Sequence, residues 1–238
     1  MNSIFHFILN IIEFSYKKNL ISNLKKNLPK KIKVFFDIGA HNGETTLWLL
    51  KYFNIKNPYL FEPSEKNFKK LKSRLKYVPS AKIFNFALSS KNSKKKIKEV
   101  FETSSTTLSK INYKSKYFLR KKKILKFFNP SISIKKNLIH TKKASQFINE
   151  SHIKKIDLVK IDTEGHEYTI LKDIQKNLKN IGVILFEHHY DLMILKDYTF
   201  RNINNLLIKN NFKQVYKSKM ILRKSFEYIY INKKYKFD

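Results

Sequence analysis

The chain has 238 residues, enough for one domain of moderate size with a buried core. Hydrophobic residues make up 42% and aromatic residues 14%, a composition typical of a folded globular protein. The absence of cysteine excludes a disulfide-stabilised extracellular scaffold and a thiolate metal site.

Lys and Arg total 50 against 18 Asp and Glu, giving a formal net charge of +32. An excess of this size is typical of proteins that bind nucleic acid or anionic membranes. However, only four of the basic residues are arginine, although arginine is the better phosphate ligand. The chain is also rich in Lys, Asn, Ile, Phe and Tyr, which indicates an AT-rich coding sequence. We therefore favour coding bias as the main cause of the charge.

The first predicted element is an apolar segment, residues 4–14, followed closely by lysines. It is shorter than the roughly 20 apolar residues of a membrane span. It also lacks the basic start and cleavage site of a signal peptide, so we expect a cytoplasmic protein. Two interpretations stay open: a helix packed on the domain, which we favour, or peripheral membrane contact through residues 4–18. Residues 19–33 are predicted as a second helix, broken by Pro29, that completes a helical extension over residues 1–33.

The run Val34 to Ile38 carries Asp37 near its end and leads into a turn that contains Gly39 and Gly43. The chain has only four glycines, and two lie in this turn, which indicates a backbone requirement. A helix is predicted from Glu44 to Phe53. A strand, a glycine turn and a helix start together form a site where a ligand can approach backbone N–H groups closely.

Glu62 ends a second apolar run, 19 residues after Gly43. In a βαβ nucleotide site, an acid at this place hydrogen-bonds the ribose hydroxyls, so the spacing fits an adenosine-containing cofactor. The turn reads D-x-G-x-x-x-G and lacks the middle glycine of a dinucleotide fingerprint. Asp37, two residues before Gly39, suits a cationic group such as an ammonium or a sulfonium. The alternative is an ordinary strand–helix turn. It does not explain why Glu62 lies at the spacing from the glycine turn that a nucleotide site requires.

Beyond a helix that starts after Ser64, the pattern predicts a third strand from Lys82 to Leu88. Asn85 and Ala87 lie near its end, where an adenine would lie in a fold of this type. The regular alternation of strands and helices then stops.

Residues 89–140 are predicted to be a variable basic insertion or lid. They contain a candidate edge strand, Ile97 to Phe101, a hydroxyl-rich turn at 104–108, and a basic stretch at 110–136 with interleaved aromatic residues. Long excursions of this kind are usually binding loops or disordered segments. We favour a solvated lid, and the alternative is a surface for an anionic or polynucleotide substrate.

Alternating elements resume at residue 142. The predicted elements are a helix at Ala144–Ser151, a buried strand at Ile156–Ile161, a helix to about Leu178, a strand at Gly182–Glu187, a helix at Thr199–Asn210 and a terminal antiparallel pair at Phe212–Tyr216 and Phe226–Ile231.

Three predicted strands end in acids, Asp37, Glu62 and Asp162. Parallel-sheet enzymes bind ligands at the carboxyl ends of their strands, so we expect these acids to face one crevice. Further acid/base groups follow two of the strands: Glu164, His166, Glu167, His188 and His189.

Four segments of the chain resemble the ordered motifs of the FkbM family: Phe35–Gly43, Phe61–Pro63, Asn85–Leu88 and Lys160–Glu167. The last segment, K-I-D-x-E-G-H-E, is the most specific. The resemblance extends over roughly residues 33–187, and the Ser104–Ser105 turn is similar to the family's serine pair. The chain has His41 where the family often has Asn, and Ala144–Gln146 replaces a usual acidic pair.

The resemblance implies an S-adenosylmethionine-dependent O-methyltransferase in a single domain over residues 1–238. It implies an α/β class I Rossmann-like fold: a mostly parallel central sheet, helices on both faces and a C-terminal antiparallel strand pair. The acceptor would be a hydroxyl of a sugar, glycoconjugate or small metabolite. The alternative function is a basic nucleic-acid-binding protein or an RNA methyltransferase on the same fold.

The expected cofactor-binding residues follow from the matched motifs and the strand ends: Asp37, Gly39, His41, Gly43, Glu62, Pro63, Asn85, Ala87 and Asp162. Removal of a hydroxyl proton calls for a general base, for which Glu164 and His166 are the candidates and His188 the alternative. The chemistry requires no metal, and we predict none. A divalent-ion site at Asp162, Glu164 and His188 is the less favoured alternative.

Overall fold

The computed structural model describes residues 16–100, 106–128, 134–219 and 224–238. The predicted apolar segment 4–14 and the Ser104–Ser105 turn lie outside these ranges. In chain order, the strands are β1 Lys31–Ile38, β2 Asn54–Phe61, β3 Lys82–Phe84, β4 Ala87–Ser89, β5 Ser93–Val100, β6 Thr106–Thr107, β7 Lys110–Ile111, β8 Ile134–Lys143, β9 Ile156–Ile161, β10 Ile181–His189, β11 Ile194–Leu195, β12 Phe212–Lys219 and β13 Ser225–Asn232. The helices are α1 16–27, α2 Glu44–Leu49, α3 Glu65–Arg74, α4 Lys116–Phe128, α5 Ala144–Glu150, α6 Glu167–Asp173 and α7 Phe200–Lys209, with a 3₁₀ helix at Gln175–Asn180.

The centre of the fold is a seven-stranded sheet in the order β12-β13-β10-β9-β1-β2-β3. The five strands from β10 to β3 run parallel to one another. Strand β13 is antiparallel to both of its neighbours, β10 and β12. The predicted mostly parallel sheet and the predicted terminal antiparallel pair are both confirmed.

Helices cover both faces of this sheet, as predicted. Successive side chains of a strand point to opposite faces, so Phe36 and Phe35 enter different hydrophobic clusters. Phe36 packs with residues of α5, α6 and α7, and Phe35 packs with residues of α1 and α2. Strand β9 is buried at every position because it lies between two neighbouring strands and under both helical layers.

A second sheet, in the order β4-β8-β5-β6, holds much of the predicted insertion. The prediction of one continuous third strand, Lys82 to Leu88, is wrong. The chain changes sheets at Asn85 and Phe86, so β3 pairs with β2 whereas β4 pairs with β8. The prediction of an edge strand at Ile97–Phe101 is also wrong, because β5 lies between β8 and β6.

Two predicted helices are shorter than their apolar patterns suggested. Helix α2 ends at Leu49, and the chain turns through further backbone hydrogen bonds to Phe53, which still packs in the core. Helix α6 ends at Asp173 and is followed by the 3₁₀ helix rather than continuing to Leu178. In the described part of the chain, every helix is too short or too polar to cross a membrane.

Candidate active site

A cavity of about 270 Å³ lies at the carboxyl ends of β1, β2 and β9. Eight of the twelve predicted site residues line it: Gly39, His41, Glu62, Pro63, Ala87, Asp162, Glu164 and His166. The structure therefore brings together three sequence motifs that are distant along the chain. The other four, which do not line the cavity, are Asp37, Gly43, Asn85 and His188.

The turn after β1 packs directly against the segment after β9. Gly39 has a φ of +80°, and a Cβ atom there would lie 1.9 Å from the Asp162 carbonyl oxygen. The backbone N–H groups of Gly39 and Ala40 both donate to the Phe61 carbonyl oxygen, at 3.0 and 3.1 Å. Only glycine fits this position, since any side chain would separate the two strand ends.

Glu62 lies at the end of β2 with a side chain that is almost fully buried. Its Oε2 accepts the His41 backbone N–H at 2.8 Å, and its Oε1 accepts the Ser64 backbone N–H at 2.9 Å. Burial raises the pKa of Glu62 to about 7, although these two hydrogen bonds act to lower it. The carboxylate is thus fixed in orientation at the edge of the cavity.

Asp37 supports the site from below instead of contacting the cavity. It is fully buried, and its Oδ2 accepts a hydrogen bond from the Thr46 hydroxyl at 2.6 Å. Asn85 has a similar supporting position, because its amide nitrogen donates to the backbone oxygens of Glu62 and Pro63 at 3.0 and 3.3 Å. Neither residue lines the cavity.

Glu167 shapes the segment between β9 and α6. Its Oε1 accepts hydrogen bonds from the Thr163 N–H at 3.1 Å, the Thr163 hydroxyl at 3.0 Å and the Gly165 N–H at 3.0 Å. The Tyr198 hydroxyl donates to Oε2. Burial raises the pKa of Glu167, but these hydrogen bonds outweigh it and hold the pKa below its ordinary value. Glu167 is therefore a structural carboxylate.

Glu164 differs from Glu167 because its side chain lines the cavity. It has a φ of +52°, and the following Gly165 has a φ of +98°, so the chain turns sharply at this point. Its Oε2 lies 3.1 Å from the Nε2 of His189. The tight turn directs Glu164 away from helix α6 and toward the ligand space.

His189 is surrounded by acids. Its Nε2 lies 3.3 Å from Glu187 Oε1 and its Nδ1 lies 3.6 Å from Asp191 Oδ2, in addition to the contact with Glu164. Burial lowers the pKa of His189, but the three carboxylates outweigh it and raise the pKa to about 10. The sequence motifs include His189 among the acid/base groups, but the predicted alternative base was its neighbour His188.

His188 lies away from the cavity. Its Nε2 is 3.5 Å from Lys196 Nζ, and its ring packs against Tyr190 and Tyr198. Burial, with the charge of Lys196 nearby, lowers its pKa to about 4. The structure thus places His189, and not the predicted alternative His188, beside Glu164.

His166 lines the cavity, and its Nε2 lies 2.9 Å from the Ser89 hydroxyl at the end of β4. Burial, with Lys95 nearby, lowers the pKa of His166 to about 4, so the imidazole is neutral at pH 7. Its ring is held in place by a residue from the second sheet.

The predicted insertion holds the loop that carries Glu164. The Thr107 hydroxyl donates to the Glu164 carbonyl oxygen at 2.6 Å, and the Ser109 hydroxyl donates to the Gly165 carbonyl oxygen at 2.9 Å. The hydroxyl-rich turn was recognised in the sequence, but no role was predicted for it. A short polar stretch of sequence does not reveal which distant backbone atoms its hydroxyl groups will bind.

A model of the methyltransferase FkbM domain matches residues 37–214. The chain belongs to the FkbM methyltransferase family. This confirms the family resemblance of the four sequence motifs. No curated protein matches the chain.

Two solved structures show the same fold as this family member. Methyltransferase FkbM from Methylobacillus flagellatus KT is 13% identical over 87% of this chain and 45% of that chain, with a TM-score of 0.54. M. capricolum TrmK, solved with its natural cofactor product S-adenosyl-homocysteine, is 12% identical over 88% of this chain and 66% of that chain, with a TM-score of 0.50. The chain thus spans less than two thirds of either length. The Rossmann-like methyltransferase fold predicted from the sequence is confirmed.

Proposed function

We propose that this FkbM family member is an S-adenosylmethionine-dependent O-methyltransferase that acts on a hydroxyl of a sugar, a glycoconjugate or a small metabolite. The observation that carries the proposal is the Glu62 carboxylate, fixed at the edge of the same cavity as the Gly39 turn and the loop of Glu164. An acid at the end of the second strand is the ribose-binding group of nucleotide sites in folds of this type.

The residues around Glu62 fit an adenosine-containing cofactor. A carboxylate has about four lone-pair sites, and the backbone N–H groups of His41 and Ser64 use two of them. The Asn67 side chain also contacts this carboxylate, and the acceptor capacity that remains suits a ribose hydroxyl. Asp162 and the Gly39 turn line the neighbouring part of the cavity, where a carboxylate favours a cationic group.

Bound S-adenosylmethionine would supply a methyl group that its sulfonium has already activated. The remaining task of the protein is to position the acceptor and remove its hydroxyl proton. Glu164 is our choice for the base, because its carboxylate lines the cavity and Glu167 already holds the loop. His166, neutral and oriented by Ser89, is the second candidate.

Calorimetric titration of the full chain with S-adenosylmethionine tests the proposal, followed by mass spectrometry of hydroxyl-bearing acceptors for a gain of one methyl group. We expect saturable heat with the cofactor and a weaker response with S-adenosyl-homocysteine analogues that lack the ribose hydroxyls. No heat at millimolar cofactor would contradict it.

The net charge of +32 supports a second candidate, RNA methylation on the same fold. Binding through phosphates weakens steeply between about 50 and 200 mM salt. Methyl transfer to RNA, with substrate affinity that falls over this range, would favour this candidate. Methyl transfer to a neutral sugar that is insensitive to salt would favour the first.

A further inference from the structure

We propose that Glu164, Glu187 and His189, together with Asp162, bind one divalent cation at the wall of the cavity. Ligand atoms of Asp162, Glu164 and His189 all lie within 4.8 Å of one another. Glu187 adds a fourth group, with its Oε1 3.3 Å from the same His189 nitrogen.

The spacing of these atoms matches cation ligands. An octahedral ion with ligands at about 2.1 Å holds adjacent ligand atoms roughly 3 Å apart. The Nε2 of His189 lies 3.1 Å from Glu164 Oε2 and 3.3 Å from Glu187 Oε1. Both distances from the His189 nitrogen are those between adjacent ligands of one such ion.

The second observation concerns hydrogen bonds at two of these atoms. In the described part of the chain, neither Glu187 Oε1 nor His189 Nε2 takes part in a hydrogen bond, although both side chains are more than nine-tenths buried. Buried polar atoms are almost always hydrogen-bonded. Two such atoms only 3.3 Å apart indicate a place where a ligand can bind.

The other nitrogen of the imidazole supports this orientation. His189 Nδ1 faces Asp191 Oδ2 at 3.6 Å, and Asp191 is itself fixed by the Met193 backbone N–H at 2.9 Å. A histidine that binds a metal usually directs its second nitrogen at a carboxylate, which orients the ring. Asp191 has the position of that outer carboxylate.

The charge of the cluster also favours a cation. The carboxyl groups of Asp162, Glu164, Glu187 and Asp191 lie around the His189 imidazole, and the Lys160 ammonium lies 3.7 Å from Asp162 Oδ2. A protonated imidazole offsets one of these charges, whereas a divalent ion offsets two and leaves the imidazole neutral. Buried negative charge is costly, so a cation beside these carboxylates is favourable.

Carboxylate oxygens suit Mg²⁺ and Mn²⁺, and Mn²⁺ also accepts an imidazole nitrogen readily. Asp162 and Glu164 line the cavity, so the open side of the ion would face the acceptor. An ion there would bind the acceptor oxygen and lower the pKa of its hydroxyl, and with Glu164 as a ligand the proton would pass to His166, the second candidate base. This catalytic role rests on the proposed function, whereas the cation site itself does not.

The experiment is a titration of the full chain with MnCl₂ after dialysis against a chelator. Electron paramagnetic resonance follows the loss of the free aqueous Mn²⁺ signal. We expect one saturable site per chain, and a dissociation constant at least tenfold weaker in His189→Gln and in Glu187→Gln. The control is His140→Ala, which removes an exposed histidine of β8 and should bind as the native chain does.

Circular dichroism and S-adenosylmethionine calorimetry on the same samples show whether each variant is folded. No saturable Mn²⁺ site in the native chain, or equal affinity in the native chain and folded Glu187→Gln, would overturn the inference and assign the cluster to a protonated His189. Cofactor binding without Mn²⁺ binding would refute the cation site alone. Mn²⁺ binding without cofactor binding would refute the proposed function alone.

Discussion

The Nζ of Lys160 lies 3.2 Å from the Oδ1 of Asp37, in a buried ion pair beneath the glycine turn. The two residues are register partners in the parallel strands β9 and β1. Nζ also donates to the Gly39 carbonyl oxygen at 2.9 Å. Burial lowers the pKa of Lys160, but Asp37 and Asp162 outweigh it, so the pKa lies above its ordinary value and the amine is charged. The pair ties two strand ends to the turn.

Removal of this amine should destabilise the protein strongly. Lys160→Met leaves the Asp37 carboxylate buried without its charged partner, and we expect a loss of about 3–5 kcal/mol in the free energy of unfolding. The double variant Asp37→Leu/Lys160→Met should recover much of this loss. The control is Lys155→Met, which breaks an exposed contact with Asp238 that solvent screens, so its loss should be small. Urea unfolding followed by circular dichroism measures all three, and equal losses at 155 and 160 would show that the pair is not important.

The two glycines of the turn should respond differently to alanine. Both have a φ near +80°, which costs a residue with a side chain about 1–2 kcal/mol. A Cβ at Gly39 would lie 1.9 Å from the Asp162 backbone oxygen, whereas a Cβ at Gly43 would lie 2.8 Å from a terminal methyl carbon of the Leu71 side chain, which can adjust more easily than backbone. We therefore expect Gly43→Ala to fold with a modest loss of stability and Gly39→Ala to lose considerably more or fail to fold. Thermal melting compares them, and similar melting temperatures would contradict the close packing at Gly39.

Substitution of Glu62 should weaken cofactor binding. Glu62→Gln replaces the charged acceptor by a neutral amide of the same shape, which costs about 1.5–3 kcal/mol, or roughly 10–100-fold in affinity for S-adenosylmethionine. Glu65→Gln, an exposed acid three residues later in α3, is the matched control and should bind normally. Calorimetry gives both dissociation constants. Equal values for the two variants would mean that the ribose lies elsewhere.

The same carboxyl group should make stability depend on pH. Its pKa is raised from 4.5 to about 7 on folding, so the folded chain holds the Glu62 proton more tightly than the unfolded chain. The contribution of Glu62 to the free energy of unfolding is then highest below pH 4.5 and falls as the pH rises toward 7. Glu62→Gln should remove this decrease. Urea unfolding without cofactor, compared across this range, checks the difference between the two profiles.

Substitution of Glu164 should affect the methyl-transfer rate, whereas substitution of Glu167, in the same loop, should affect stability. Glu164 lines the cavity, so Glu164→Gln should lower the methyl-transfer rate by about 10²–10⁴-fold with nearly unchanged cofactor affinity. Glu167 accepts four hydrogen bonds, so Glu167→Gln should lower the melting temperature in particular. Single-turnover rates and melting curves of the two variants decide this. A native rate in Glu164→Gln would transfer the role of base to His166.

The sequence alone determined the order of the elements and most of the residues that meet at the candidate site. Short apolar runs that alternate along the chain with helical patterns predicted the parallel strands. The Gly39 turn, Glu62 and the Asp162 segment were predicted to lie at one edge of the sheet, because the carboxyl ends of parallel strands meet there. Local signals suffice for this, since a strand, a glycine turn and a helix start are each encoded within about ten residues. The sheet change at Asn85 was missed because hydrophobic periodicity does not reveal which partner a strand will pair with.

Only the tertiary structure decided between His188 and His189. Adjacent residues of a strand point to opposite faces, so one of the two must face away from Glu164. Strand β10 is buried at every position, and no alternation of polar and apolar residues marks its two faces in the sequence. The packing of β10 between β9 and β13 fixes its rotation, so Glu187 and His189 share one face with Glu164 while His188 packs against Tyr198 on the other.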